Sequence, residues 1–438
     1  MVSADPPRRA RAAVTAFFFL NGLVLASWVV SIPAIEQSLH ISHATLGGLL
    51  LVLGLGSFAG MQAAGYLVDR IGSRRVTIVG AAILVAGVNL PGLVAHPWQL
   101  AAALFVLGLG NGITDVAMNH QAVLVERQYA RPIMSSFHAV FSIGGAVGAV
   151  VGSIVKSADQ SVHWSLGIGA LAAAIVTVAC APSLVASPAA TDETGRAAPL
   201  TRPAAARKQL ATRIIALAAL AFLLMLAEGT ANDWSALQAV ERLDQSESAA
   251  ALAYGSFAVA MTIGRFAADP ISHRVGARKV VSYGSAVAAG GMLVIVVSSV
   301  YPVTLLGWAV LGVGLSGIVP QIFTAAGNLG ASNQGAVMAR IVGAGYLGLL
   351  AGPAVIGWLS HYVGITNALI MPLAFCIVGI TLASQVTPNQ PTTPPDLAPD
   401  VHEQAASLAR RRMSSSDLMT PASCWPGAEC RCPLPDAT

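Results

Sequence analysis

A short basic segment occurs twice in this chain, each time between two long apolar runs. Residues 70–76 read Arg-Ile-Gly-Ser-Arg-Arg-Val, and residues 274–280 read Arg-Val-Gly-Ala-Arg-Lys-Val, at a displacement of 204 positions (274 − 70). The glycine pattern at 107–110 recurs at 311–314 with the same displacement. A repeat of nearly half the chain predicts a protein that is built from two similar halves.

Apolar residues dominate the composition. The chain is 55% hydrophobic and only 10% charged, whereas soluble domains carry about 25% charged residues. A membrane-spanning helix needs roughly 20 apolar residues. Segments of this kind lie at 12–35, 44–68, 76–95, 98–125, 133–155, 164–185, 214–240, 249–271, 280–300, 303–327, 338–360 and 365–385. We therefore predict an all-α membrane protein with twelve transmembrane helices in two pseudo-symmetric six-helix bundles.

The polar segments predict the domain organisation and the orientation. We expect an N-terminal tail (1–11), a first bundle (12–185), a linker (186–213), a second bundle (214–385) and a disordered tail (386–438). Apart from Lys156 and Arg242, the basic loop residues all fall on the side that carries both termini. The positive-inside rule then predicts cytoplasmic termini and a multi-pass protein of the cell inner (plasma) membrane. The net charge of +4 is spread over short loops, which argues against a nucleic-acid partner.

No cofactor or metal is expected. Cys424, Cys430 and Cys432 cluster in the tail, but their spacing fits no zinc motif. The chain lacks the G-x-x-x-x-G-K-[ST] motif of ATP-driven proteins, so a gradient should supply the energy. No Ser/His or His/Glu spacing brings a nucleophile and a base together, which argues against an enzyme.

The segment Gly65-Tyr66-Leu67-Val68-Asp69-Arg70-Ile71-Gly72-Ser73-Arg74-Arg75 resembles the loop signature between helices two and three of the major facilitator superfamily. A closer resemblance, to the YbjJ-like permeases related to fucose permease, covers about residues 12–385. It is carried by Asn21-Gly22 with Trp28, by Asp115-Val116-Ala117-Met118-Asn119, by Ser135-Ser136-Phe137-His138, and by Glu228-Gly229 with Asp233-Trp234. The resemblance implies transport by alternating access but names no cargo.

The resemblance also implies a conformational gate on the cytoplasmic side. Asp69 ends helix two, where the pseudo-symmetry brings the partially positive N-terminus of helix eleven close. The gate residues are Gly65, Asp69, Arg70, Gly72, Arg74 and Arg75 in the first half, and Arg265, Asp269, Arg274, Gly276 and Arg278 in the second. Asp69 is expected to act with Arg70 and Arg74. Because Asp269 lies five residues before Arg274, we expect the second gate to be weaker.

Polar residues inside the predicted helices are candidates for a solute or proton site. An ionisable side chain there costs at least ~2.5 kcal/mol, so it normally lines a wet cavity or has a partner. Asn111, Asp115 and Asn119 recur every four residues and share one face of helix four. Glu228 lies near the middle of helix seven, followed by Asn232 and Asp233.

Two assignments remain open among these acids. Glu228 is the best candidate for a proton or cation site, because burial favours the neutral carboxyl, but it could instead form a structural hydrogen bond to helix one or eleven. Arg265 needs a partner, either Asp115 or Asp269, and Asp269 is the more economical choice at four residues' distance. In the sugar symporters that the chain resembles, acids on helices one and four take part in proton coupling. Asp115 suits the second, whereas helix one offers Asn21.

Four further residues have two interpretations each. His138 could titrate near neutral pH, although a lone histidine is more often a packing residue. Gln321, Trp28 and Trp234 could hold a polar ring, yet tryptophan also marks membrane interfaces.

These patterns predict a secondary active transporter that moves a small polar solute, such as a sugar or sugar acid, with protons. It is expected to work as a monomer in the lipid bilayer. One alternative is efflux of drugs or metabolites by proton antiport. Another is a non-transporting sensor or scaffold that uses the basic tail segment 410–412.

Overall fold

The computed structural model describes residues 6–129, 131–186, 203–331 and 333–387. These residues form fourteen α-helices and short 3-10 turns, without a β-strand in the described ranges. The helices are α1 (Pro6–Leu39), α2 (His43–Ile71), α3 (Ser73–Asn89), α4 (Pro97–Glu126), α5 (Met134–Ser157), α6 (Val162–Cys180), α7 (Ala204–Leu243), α8 (Glu247–Val275), α9 (Ala277–Val297), α10 (Tyr301–Leu315), α11 (Ile318–Gly327), α12 (Gln334–Val363), α13 (Ile365–Ala368) and α14 (Ile370–Leu382). Twelve segments are long and apolar enough to cross a membrane, which confirms the predicted fold class.

Two helices begin earlier than their apolar segments suggest. α1 begins at Pro6 and not at residue 12, and α7 begins at Ala204, so residues 204–213 of the predicted linker are helical. Both extensions carry arginines. A hydropathy window detects the lipid-facing part of a helix and misses turns that continue past the membrane surface. Residues 187–202 of the predicted linker and 388–438 of the predicted tail, including Cys424, Cys430 and Cys432, lie outside the described residues.

The tenth apolar segment is broken into two helices. α10 ends at Leu315 and α11 begins at Ile318, and Pro320, which has no N–H to donate, occupies the first turn of α11, where this loss is tolerated. Ser316 Oγ donates to the carbonyl of Val313 at 2.6 Å. The break sets α11 against α4 and α5 of the first half.

The internal repeat extends to the packing of individual backbones. A Cβ on Gly108 would lie 2.9 Å from the backbone nitrogen of Ser57, and a Cβ on Gly312 would lie 3.1 Å from that of Met261. Both the glycines and their partners are displaced by 204 positions (312 − 108 and 261 − 57). Glycine is therefore required for the close contact of α4 with α2 and, equivalently, of α10 with α8.

Substitution of these glycines should destabilise the fold. We expect Gly108→Ala and Gly312→Ala each to lower the free energy of unfolding by about 1–3 kcal/mol, because the new methyl group enters a filled contact. The matched control is Gly290→Ala in α9, whose Cβ would meet nothing within 4 Å. Thermal unfolding in detergent measures the difference, and an equal midpoint for all three variants would disprove the close-contact interpretation.

The basic segments of the repeat owe their glycines to backbone geometry. Gly72 joins α2 to α3 with φ of 81°, and Gly276 joins α8 to α9 with φ of 83°. Side chains with a Cβ rarely adopt such values. The Arg-x-Gly pattern therefore encodes the same sharp connection in each half.

Candidate functional site

Five polar side chains from both halves meet near the middle of the helices. We call them the central polar cluster: Asp115 (α4), Ser142 (α5), Glu228 (α7), Arg265 (α8) and Tyr346 (α12). Arg265 Nη2 lies 3.2 Å from Glu228 Oε1, and the two side chains are 12% and 16% exposed. Arg265 Nη1 also donates to Ser142 Oγ at 2.6 Å. One guanidinium therefore contacts both halves of the protein.

Asp115 forms the other side of this cluster. It is 4% exposed, and Asn119 Nδ2 donates to its carbonyl at 2.9 Å. The hydroxyl of Tyr346 lies beside the Asp115 carboxylate and can donate to it. Tyr346 is also within electrostatic range of Glu228 and Arg265. The acid of the first half and the ion pair of the second half thus share a neighbour.

The predicted partner of Arg265 is wrong. The sequence favoured Asp269 or Asp115, but the guanidinium pairs with Glu228. Asp269, one turn away on the same helix, is occupied by backbone amides of α5. A buried charge needs a charged partner, and packing of α8 against α7 supplies one that helical spacing could not reveal.

The amide side chains that were predicted to contribute to the site from helices one and four are buried. Asn21 has an exposed fraction of 0%, and neither of its amide atoms has a hydrogen-bond partner among the described residues. Asn111 Nδ2 reaches Ser57 Oγ at 3.4 Å, while its Oδ1 and that of Asn119 are unpartnered within the same ranges. Buried amides of this kind normally bond to water or to a ligand.

The polar residues that follow Glu228 on α7 are more exposed than Glu228 itself. Asn232 and Asp233 are exposed, and Tyr254 of α8 lies within electrostatic range of both Asp233 and Glu228. Trp234 packs against Gly357, whose Cβ would be 3.1 Å from the indole. Trp28 is 3% exposed, so it is a core residue of the first half.

His138 lies beside the central polar cluster, since it is within electrostatic range of Arg265 and its carbonyl accepts from Ser142 Oγ at 3.3 Å, whereas Gln321 lies away from it. The ring of His138 is 5.1 Å from Phe18 and 5.9 Å from Phe323 between centroids, which fits the packing interpretation. Gln321 Oε1 accepts from Ser272 Oγ at 3.1 Å. That contact lies within the second half, so the structure does not place Gln321 in the central polar cluster.

The second set of contacts lies at one end of the bundle. We call this the arginine-rich end. It is defined by the connections at Gly72, 127–133, Gly276 and 328–333. Here Asp69 accepts from the backbone amides of Gly335 at 2.7 Å and Ala336 at 3.0 Å. Both amides belong to the first turn of α12, so the acid lies where the helix dipole is positive. The eleventh predicted span, 338–360, corresponds to α12. The predicted contact of Asp69 with the N-terminus of that helix is therefore present.

The second half makes the same contact from a displaced acid. Asp269 accepts from the amides of Ser135 at 2.9 Å and Ser136 at 2.7 Å, in the first turn of α5. The prediction of a weaker second contact is wrong in its geometry, since the two acids have bonds of similar length. A shift of one helical turn leaves a side chain on the same face.

The arginines of the predicted gate have a different role from the one expected. The Arg70 guanidinium lies 4.4 Å from the centroid of the Tyr66 ring, and Asp69 bonds to amides in place of arginines. Arg75, Arg274 and Arg278 are exposed, and Arg74 is half-buried. Gly65 permits close packing, since its Cβ would lie 2.5 Å from that of Ala339.

A third contact between the halves escaped the sequence analysis. Glu126 accepts from the amides of Ile133 at 2.9 Å and Met134 at 2.8 Å, and from Thr324 Oγ1 of α11 at 2.8 Å. Next to it, Arg127 donates to Asn328 Oδ1 at 2.8 Å and to the carbonyl of Gly327. The sequence feature that could have indicated this contact is the position of Glu126, an acid at the end of an apolar segment. Together the three contacts close the arginine-rich end.

Comparison with known proteins decides the family. A model of the Major Facilitator Superfamily matches residues 14–241 and again residues 217–428, once on each half. The chain belongs to the major facilitator superfamily. An uncharacterized MFS-type transporter of Yersinia pestis is 36% identical over 344 residues, which cover 78% of this chain and 87% of that protein. An uncharacterized transporter of Sinorhizobium fredii is 33% identical over 375 residues, covering 84% and 94%.

Solved structures agree with this assignment. The MFS transporter FucP, in the outward conformation, has a TM-score of 0.73 at 17% identity and covers 86% of this chain and 98% of its own. With its twelve helices that can cross a membrane, its family and its transporter relatives, the chain is a multi-pass membrane transporter. Within the described residues, no three His, Cys, Asp or Glu side chains are grouped to hold a metal ion.

Proposed function

We propose that this transporter is a proton-coupled secondary active transporter of a small polar solute, such as a sugar or sugar acid. The observation that carries the proposal is the central polar cluster, in which Asp115 of the first half lies beside Tyr346 of the second, and Arg265, the partner of Glu228, bonds to Ser142 of the first half. Rocking of the halves must change these contacts. A proton that alters them therefore biases the equilibrium between the two conformations.

The ion pair supplies one route for coupling. While Glu228 is ionised, it holds Arg265, which in turn bonds to Ser142 of the first half. Protonation of Glu228 removes its charge and leaves the guanidinium free to change partners. Asp115 supplies a second route, because its ionised carboxylate would attract the neighbouring hydroxyl of Tyr346 from the second half more strongly than the neutral acid would.

The polar character of the cargo rests on the buried amides. Within the part of the chain that the structure describes, Asn21, Asn111 and Asn119 have unpartnered polar atoms that match the hydroxyl groups of a sugar, and Arg265 matches a carboxylate. Two similar structures are those of a fucose:proton symporter of E. coli and a proton:xylose symporter. A gentisate transporter of Corynebacterium glutamicum is 27% identical over 163 residues, which are 36% of this chain. Sugars and hydroxylated acids are thus the first solutes to test.

The orientation proposed from the positive-inside rule places the arginine-rich end in the cytoplasm of the cell that has this protein in its inner membrane. With that orientation, the contacts of Asp69, Asp269 and Glu126 close the cytoplasmic side. The conformation described here is then closed towards the cytoplasm. Labelling of an engineered cysteine in the connection at Gly276, in intact cells and in inverted vesicles, tests the assignment.

Uptake into proteoliposomes tests the function itself. A thermal-shift screen of sugars, sugar acids, hydroxylated aromatic acids and apolar drugs first selects a ligand, because binding to the native state raises its apparent stability. We expect a polar hit to accumulate when a pH gradient is imposed and to stop accumulating when a protonophore is added. Hits restricted to apolar drugs would favour efflux, and gradient-independent accumulation would contradict proton coupling.

The contact between Tyr346 and Asp115 provides a specific prediction for this site. We expect Tyr346→Phe to reduce proton-driven uptake by about tenfold, since a hydrogen bond to a charged group contributes about 1.5–3 kcal/mol. Exchange of labelled for unlabelled solute without a gradient should fall less. The matched control is Tyr362→Phe, because Tyr362 lies on the same helix and is 67% exposed. Equal uptake by Tyr346→Phe and the control would remove Tyr346 from the coupling route.

A further inference from the structure

A cavity lies at the arginine-rich end, apart from the central polar cluster. It has a volume of about 740 Å³ and is formed by the first turns of α1, by α5 and by the connection between α4 and α5. Arg8, Arg11 and Arg131 line it together with Tyr129. None of the transport residues discussed above contributes to it.

No carboxylate among the described residues compensates the charge in this cavity. Three arginines line it and no acid does, and within the described ranges neither Arg8 nor Arg131 has a carboxylate partner. The guanidinium of Arg11 lies 5.5 Å from the centroid of the Tyr129 ring, and the Tyr129 hydroxyl donates to the carbonyl of Pro7 at 3.3 Å. These two contacts hold the connection after α4 against the start of α1. The basic residues at the mouth of the cavity are therefore positioned by the fold.

The deeper part of the cavity is mainly apolar, and the hydroxyl of Thr15, which also lines it, already donates to the carbonyl of Arg11 at 2.8 Å. Ala12 and Ala16 follow the arginines on the same face of α1, and Phe19 and Val140 lie beyond them. From Arg8 to Phe19 the helix rises about 16 Å. At Phe19 the two helices are in close contact, because Gly144 of α5 has no Cβ to meet the Phe19 backbone. The cavity is thus basic at its mouth and apolar over the roughly 10 Å that the helix rises from Ala12 to Phe19, about two-thirds of a ~15 Å leaflet.

We propose that this cavity binds an anionic phospholipid, with its phosphate at the arginines and an acyl chain along the small and apolar residues of α1. Guanidinium groups bind phosphate oxygens in bidentate fashion. A basic pocket at a membrane surface attracts anionic head groups for the same reason. A soluble anion would satisfy the rim but would leave the apolar depth unused. The proposal does not depend on the identity or coupling of the transported solute.

Thermal unfolding of the purified full chain in a neutral detergent tests the site. Dioleoyl phosphatidylglycerol should raise the midpoint of unfolding, while dioleoyl phosphatidylcholine at the same concentration should leave it nearly unchanged. The double variant Arg11→Gln with Arg131→Gln should weaken the response at least tenfold in lipid concentration. Arg9→Gln is the matched control, since Arg9 is exposed on the same helix and does not line the cavity.

Three outcomes would overturn the proposal. The first is a double variant that responds to phosphatidylglycerol as the parent does. The second is an equal response to inorganic phosphate or glycerol 3-phosphate, which would show a site for soluble anions. The third concerns Ala16→Trp, which keeps the arginines, fills the apolar depth and can be used if the double variant does not fold. It should lose the lipid response, and parental binding by this variant would refute the acyl-chain position.

Discussion

Replacing Glu228 with Gln is expected to abolish proton-driven uptake, with a loss of at least about a hundredfold. The substitution removes the titratable group and leaves the Arg265 guanidinium in the centre of the bundle without its only charged partner among the described residues. Breaking a buried pair from one side typically costs about 3–5 kcal/mol. Uptake into proteoliposomes and the midpoint of thermal unfolding should therefore both fall.

The converse variant should behave differently. Arg265→Gln leaves Glu228 able to become neutral by binding a proton, so we expect a smaller loss of stability than in Glu228→Gln. The double variant Glu228→Gln with Arg265→Gln should recover part of that loss, because no charge then remains unpaired. Proton-driven uptake should stay absent in the double variant. This separation of stability from uptake distinguishes a coupling pair from a purely structural one.

Asp233→Asn is the matched control for this series. Asp233 lies five residues after Glu228 on α7 and is exposed, so its substitution should change uptake and stability little. Proton-driven uptake by Glu228→Gln at the parental rate would remove Glu228 from the transport mechanism. A double variant less stable than Glu228→Gln would show that the pair contributes more than the compensation of two charges.

Sequence reasoning predicts those features that depend on local chemistry. Hydropathy is a property of contiguous residues, so the spans followed from the sequence, and the repeat of 204 positions correctly indicated two similar halves. The contact of Asp69 with α12 was predictable as well. The sequence shows the acid at the end of helix two, and the resemblance to the superfamily, whose pseudo-symmetry brings the N-terminus of helix eleven close, supplies the rest of that prediction.

The partners of the central polar cluster were not predictable in this way. Arg265 has Asp269 one turn away in sequence, but the choice of Glu228 depends on how α7 and α8 pack. Tyr346 was missed because a tyrosine in an apolar segment is equally typical of a membrane interface. Asp269 was underestimated because its position was compared with that of Asp69 along the sequence, whereas the two acids are equivalent by helix face.

The pair of acids at the arginine-rich end leads to the second large effect. We expect the double variant Asp69→Asn with Asp269→Asn to open that end, since each carboxylate accepts two backbone amides and charge-assisted bonds contribute about 1.5–3 kcal/mol. A combined loss of about 3 kcal/mol corresponds to roughly a hundredfold change in the ratio of conformations. The rate of maleimide labelling at Val123→Cys in a chain without other cysteines measures it.

The position of the reporter makes this measurement specific. Val123 is 2% exposed and lies opposite Gly327 of the second half, whose Cβ would be 2.5 Å from its side chain. A cysteine there can react only when the halves separate at the arginine-rich end. Asp159→Asn, at an exposed acid between α5 and α6, is the control and should leave the labelling rate unchanged.

The single variants then decide between a symmetric and an asymmetric gate. Similar bond lengths at Asp69 and Asp269 predict that each substitution alone raises the labelling rate by a similar factor. A full effect from Asp69→Asn and none from Asp269→Asn would mean that the second contact follows the closed state without stabilising it. A parental rate in the double variant would assign closure to Glu126 and Arg127. Those two residues bind α11 and its C-terminal connection. Closure of the arginine-rich end would then depend on the break in the tenth span.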